Sequence, residues 1–186
     1  APEAFEMVLG ITPDAFMDDF KQWAGEQLQA NGLLLPAEVP DLNELLGDPA
    51  AGMPSKDDLD ELLEEYPDHT DLLQLRLNLA LALEGDRLNP EQIRLLERAI
   101  KLRPTDEMPH RRLARHYLIS ESFEDQIRAI EHLEFLDVRE VHTPAYAYQL
   151  ALLYAQTGEN ELALLKAIRA TRVDPFNAQW REQAAR

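Results

Sequence analysis

Apolar residues recur every three or four positions along most of the chain, the spacing of one face of an α-helix. The first such stretch follows residues 12–14, where Thr can cap a helix, Pro fits its first turn and Asp complements its dipole. The apolar positions that follow form one stripe: Phe16, Phe20, Trp23 or Ala24, and Leu28. The pattern predicts a helix that ends near Asn31-Gly32 and whose stripe needs a partner surface.

Residues 31–54 are rich in proline and glycine, which prevents any long helix and leaves room only for a short turn around residues 41–46. We interpret this segment as a linker. Ser55, with Asp58 three residues later, predicts the start of the next helix. Its apolar face ends before Pro67: Leu59, Leu62, Leu63 and Tyr66.

From about residue 70 the apolar pattern repeats itself. The spacings between equivalent positions are 36 and 37 residues in two series, which are Leu77, Leu113 and Leu150, and Leu81, Tyr117 and Tyr154. A third series follows them: Ala99, Leu133 and Ala170. Self-similarity at this period indicates helix pairs that bury their apolar faces only against the neighbouring pairs.

Residues 144–177 resemble the tetratricopeptide repeat (TPR). Seven residues stand where that family places its Leu, small residue, Tyr, turn Gly, two Ala and closing Pro: Leu150, Ala151, Tyr154, Gly158, Ala163, Ala170 and Pro175. Residues 107–140 are a weaker copy, with Glu121 in place of the turn Gly and Val138 in place of the Pro. Residues 71–104 are a third copy with an insertion around Asn89-Pro90.

The resemblance implies an all-α fold, a right-handed α-solenoid of about three TPR hairpins within residues 55–186. Residues 55–67 would be a preceding half-unit and residues 176–186 a terminal covering helix. A helical segment over residues 1–30 and the 31–54 linker would precede this domain. The first segment, through Gly10-Ile11-Thr12, Phe16, Phe20 and Trp23, also resembles the end of the metallopeptidase-like domains that precede such repeats in some large bacterial proteins.

The TPR family binds peptides in a concave groove lined by the first helix of each pair. Carried onto this chain, the resemblance implies these groove candidates: Leu75, Leu79, Met108, Arg111, Arg115, Tyr148 and Leu152. Apolar walls with Arg111 and Arg115 at the centre would favour an acidic, partly hydrophobic peptide. Two alternatives stay open, namely that the leucines are core residues and that the arginines belong to a solvated face.

The formal net charge of −17 disfavours nucleic acid and anionic lipid as partners. Residues 1–68 hold 17 acidic and 2 basic side chains, a net charge of −15, whereas residues 69–186 hold 18 and 16, a net charge of −2. No apolar run is long enough to cross a bilayer, so a soluble chain is expected. The sequence specifies neither compartment nor oligomeric state, and the absence of Cys excludes thiolate chemistry.

The sequence contains no recognisable catalytic or ligand-binding motif. The five histidines have no metal-binding spacing, and His110 and His116 lie six residues apart and face different ways on a helix, which predicts surface or inter-helix roles. No phosphate loop or nucleophile elbow occurs, so no cofactor, metal or catalytic residue is predicted. Members of the family that clamp chaperone carboxyl termini have one specific residue, Lys, Asn or Arg, at each of five positions. None of the residues at those positions of this chain is the required one, so such a clamp is not expected: Leu75, Leu79, Arg112, Ala145 and Gln149.

Two functions therefore remain. The first is a non-catalytic module that binds a peptide or partner protein in the TPR groove. The alternative is an accessory or spacer region of a larger peptidase-like protein, with no groove ligand of its own. A chain that starts at Ala1 and ends in a polar string is expected to be a fragment of a longer one.

Overall fold

The computed structural model describes residues 2–47, 52–82 and 87–177, and these residues form ten α-helices. They divide into two compact units. The first holds the residues up to Leu79 together with Lys101–Thr105, and the second holds Ala80–Ile100 and the residues from Asp106 onward. Residues 178–186, which make up most of the predicted terminal helix, lie outside the described residues, as does Gly85 of the copy at 71–104.

The first unit begins with four helices, α1 (Pro2–Leu9), α2 (Pro13–Ala30), α3 (Leu42–Leu46) and α4 (Lys56–Glu65), and contains most of α5 (Thr70–Leu81). The predicted caps of α2 and α4 are confirmed: Thr12 accepts a hydrogen bond from the backbone N–H of Ala15, and Ser55 and Asp58 form a capping box. Asp41 caps α3 in the same way. Helix α1 falls within the helical segment expected over residues 1–30, for which the sequence analysis gave separate bounds only to α2.

The α2 stripe stays open to solvent. Phe16, Phe20 and Trp23 keep 40–56% of their surface exposed. The Phe16 and Phe20 rings stack with centroids 6.5 Å apart, and the Trp23 ring is tilted against Phe20 at 5.9 Å. No described residue of α2 is buried. The sequence correctly predicted the helix and its apolar stripe, but the structure shows no surface that covers the stripe among the residues it describes.

The core of the first unit lies between α4 and α5. Five leucines are almost fully buried there: Leu59, Leu63, Leu72, Leu73 and Leu77. Arg76 is only 2% exposed, and its Nε donates to Asp60 Oδ1 over 2.7 Å, which satisfies a cation that burial would otherwise penalise. Leu72 is therefore a core residue, as the alternative interpretation of the leucines expected for this position.

The proline- and glycine-rich segment is attached to this unit at Gly32. Arg103 Nε donates to the Gly32 carbonyl over 2.9 Å, while its Nη2 contacts Asp71 at 2.6 Å. Gly32 has a φ of +64°, and a Cβ atom there would lie 2.3 Å from the Leu102 carbonyl oxygen. Only glycine fits this position, because any side chain would collide with backbone.

The second unit contains most of α6 (Pro90–Leu102) and the helices α7 (Glu107–Leu118), α8 (Phe123–Arg139), α9 (Pro144–Thr157) and α10 (Asn160–Val173). Helices α7 to α10 pack against their neighbours in chain order. Buried alanines allow this close approach: Ala114, Ala129, Ala147, Ala151, Ala163, Ala167 and Ala170. The fold prediction is confirmed as an all-helical, TPR-like arrangement of successive helix pairs.

The repeat register also explains where helices end. Gly158 takes a φ of +84° and caps α9, which is the role expected of the turn glycine. In the preceding unit Val138 stands in place of the closing Pro, and α8 continues to Arg139. Helix α10 ends at Val173, two residues before Pro175. A missing proline therefore lengthens α8, because nothing in that sequence interrupts its backbone hydrogen bonds.

Candidate interaction surface

The seven predicted groove residues fall in both units. Leu75 and Leu79 lie on α5 in the first unit, where both are partly buried. The other five lie in the second unit: Met108, Arg111 and Arg115 on α7, and Tyr148 and Leu152 on α9. Their role in binding stays a prediction.

A groove of about 360 Å³ lies between α7 and α9. Its lining residues are Arg111, Ala114, Arg115, Leu118, Ile119, Leu133, Tyr146 and Gln149. Leu133 and Ala114 are buried and form an apolar floor, whereas Ile119 is 41% exposed and lies at a more open edge. We name this the α7–α9 groove. It has the size of a site for a few side chains of a partner.

The structure brings two of the predicted residues into this groove and replaces others. Arg111 and Arg115 line it, but Met108, Tyr148 and Leu152 are not among its lining residues. Tyr146 and Gln149 line it instead. They lie on the same helix as Tyr148, and the family pattern used in the sequence analysis did not assign them to the groove. A helical wheel of α9 would have placed both on one face, since they are three residues apart.

Arg111 is already bound to carboxylates of its own chain. Its Nη2 contacts Glu140 Oε1 at 2.6 Å and Glu107 Oε2 at 2.9 Å, and its Nε donates to Glu140 over 3.0 Å. The hydrogen bond with Glu140 is the main reason that the pKa of Arg111 is raised. Tyr146 also donates to Glu140 over 3.3 Å. Arg111 therefore acts first as a clamp between α7 and the end of α8, which fits the alternative that the arginines belong to a solvated face.

Arg115 stands one helical turn further along the same edge and is exposed. Its neighbours in the groove, Leu118 and Gln149, are partly buried. An arginine at the edge of an apolar groove can bind a carboxylate in bidentate fashion, because its N–H groups form a planar fork. Arg115 therefore stays a candidate for contact with a partner, together with Arg111.

Two of the histidines join α7 to α8. His132 Nδ1 and His110 Nδ1 lie 3.1 Å apart, and the His110 ring stacks on Phe135 with centroids 3.7 Å apart. His116 faces elsewhere, as predicted, and its Nδ1 accepts from the backbone N–H of Leu88. Across residues 2–47, 52–82 and 87–177 no three His, Cys, Asp or Glu side chains are grouped to hold a metal ion. In the same residues no helix is long and apolar enough to cross a membrane.

Comparisons with known proteins give a structural likeness but no match to a family model or to a curated protein. The chain is similar to a solved structure described as the crystal structure of MamA, with 15% sequence identity, a TM-score of 0.47, and coverage of 81% of this chain and 82% of that one.

Proposed function

We propose that this chain is a non-catalytic protein-interaction module and that the α7–α9 groove receives a segment of a partner protein. The observation that supports the proposal is an apolar groove with an exposed arginine at its edge, lined by residues of α7, α8 and α9. Apolar side chains of the partner would occupy the floor beside Leu118 and Leu133. A carboxylate of the partner would pair with Arg115, which favours an acidic, partly hydrophobic segment.

Charge reversal at Arg115 tests this proposal. The probe is a fluorescent amphipathic peptide of about four helical turns with Leu on one face and Glu on the other, read by fluorescence anisotropy. We expect Arg115→Glu to weaken binding about tenfold, since a bidentate ion pair becomes a like-charge contact. Arg112→Glu is the matched control, because Arg112 is exposed on α7 but does not line the groove.

Equal weakening by both substitutions would indicate general charge attraction and would contradict a groove-specific contact. Absence of binding by the unsubstituted protein would favour the alternative function, a spacer or accessory region of a larger peptidase-like protein. One observation fits that alternative: Arg111, at the same edge, is already occupied by Glu107 and Glu140.

A further inference from the structure

A second cavity lies within the first unit, between α3, α4 and α5. Its volume is about 660 Å³, within the usual range for ligand-binding pockets. Six of its lining residues carry the argument: Leu42, Leu46, Met53, Asp58, Leu62 and Leu75. Five of the six are apolar, and Met53 is 77% exposed. We name this the α3–α4 pocket.

The helix α4 presents carboxylates on the side that lines this pocket. At about 100° per residue, Glu61, Leu62 and Glu65 lie within about 60° of Asp58 around the helix. Asp58 and Leu62 both line the pocket, so the exposed side chains of Glu61 and Glu65 flank it. The buried residues Leu59 and Leu63 face the core instead.

The carboxylates of α4 have few cations near them in sequence. Hydrogen bonds from Ser55 lower the pKa of Asp58 below its usual value. Residues 41–65 contain nine acidic side chains and one basic side chain, Lys56. The Lys56 ammonium is paired with Asp60 at 2.7 Å. The pocket is thus apolar inside and strongly negative at its edge.

We propose that the α3–α4 pocket is a docking site for a basic amphipathic segment of a partner protein. Apolar side chains of that segment would fill the space between Leu42, Leu62 and Leu75, and its Lys or Arg residues would pair with Glu61 and Glu65. This site goes beyond the function proposed above, because it lies in the other unit and selects the opposite charge. Acidic peptides and nucleic acids are repelled from it by the same carboxylates.

Two labelled peptides of about four helical turns provide the test, one with Leu and Lys faces and one with Leu and Glu faces. We expect the intact protein to bind the Leu/Lys peptide at this pocket and Glu61→Lys to weaken that binding about fivefold in anisotropy titrations at low salt. The matched control is Glu64→Lys, which makes the same charge change on the same helix. Glu64 lies about 120° from Asp58 around the helix, farther than Glu61 or Glu65, and we expect an effect below about twofold.

Leu62→Ser tests the apolar part of the site, and we expect it to weaken binding of the Leu/Lys peptide while circular dichroism shows unchanged helix content. Equal losses in Glu61→Lys and Glu64→Lys, or no loss in Leu62→Ser, would overturn the proposal. A dimer in light scattering that Leu62→Ser abolishes would also overturn it, since a second copy would then cover the pocket. Arg115→Glu should leave binding of the Leu/Lys peptide unchanged. A negative result for the α3–α4 pocket can therefore be distinguished from a negative result for the α7–α9 groove.

Discussion

Replacing Asp137 with Asn is expected to lower the free energy of unfolding by about 2–3 kcal/mol. Asp137 lies on α8 with its side chain 1% exposed, and it pairs with two cations of α10. Lys166 Nζ is 2.8 Å from Oδ2 and Arg169 Nε is 2.9 Å from Oδ1. Arg169 also donates to the Asp137 carbonyl.

The substitution leaves two neighbouring cations without their buried counter-charge. Removing one partner of a fully buried pair costs about 3–5 kcal/mol, and we reduce that figure because Lys166 and Arg169 retain 18% and 35% exposure. Urea denaturation followed by circular dichroism measures the change. Glu124→Gln is the matched control on α8, and we expect a loss below about 1 kcal/mol, since its pair with Arg128 is exposed. Equal losses would contradict a structural role for the buried pair.

Acidification is expected to destabilise the fold through His110. Its ring is 4% exposed between His132 and Phe135. Burial lowers the pKa of His110 to about 4, with smaller contributions from His132 and Arg139, and Asp106 acts in the opposite direction. Burial also lowers the pKa of His132. Both rings are thus held neutral in the folded chain.

The unfolded chain binds this proton with a pKa near 6.5, so it takes up more protons than the folded chain below that value. The stability contributed by neutral His110 is therefore complete above about pH 6.5 and is lost as the pH falls towards 4. Over that interval we expect the free energy of unfolding of the intact protein to fall by about 3 kcal/mol more than that of His110→Phe, because Phe cannot bind a proton.

Urea denaturation at a series of pH values measures this difference. His110→Phe retains an aromatic ring beside Phe135 but loses the contact between the two histidines. The exposed His142, changed to Phe, is the control and should leave the pH dependence of the intact protein unchanged. Parallel pH curves for the intact protein and His110→Phe would contradict the assignment.

Much of the fold could be predicted because the repeat places its core residues at fixed intervals. Leu77, Leu113, Leu150, Tyr117 and Tyr154 are all buried, as the register requires. Helix starts followed from local cap chemistry at Thr12 and Ser55. The buried ion pair of Asp137 was missed because its partners lie 29 and 32 residues away in sequence, and a single sequence carries no signal that they meet.

The groove was predicted less completely than the fold. The family positions include Arg111 and Arg115, which line the α7–α9 groove because both lie on the exposed edge of α7, and their role in binding stays a prediction. The family positions could not show that Glu140, at the end of α8, forms an ion pair with Arg111. Tyr146 and Gln149 were missed for a related reason: the side chains that line a groove depend on how α9 is rotated against α7, which is set by packing.

A nuclear magnetic resonance titration can show whether the α7–α9 groove binds a partner. ¹⁵N-labelled protein is mixed with the Leu/Glu peptide, and the backbone amide resonances are followed. We predict that the amides of Ala114, Leu118 and Gln149 shift together and saturate with one affinity. Shifts confined to the exposed residues Glu131 on α8 and Glu161 on α10, or no shifts at millimolar peptide, would contradict the claim.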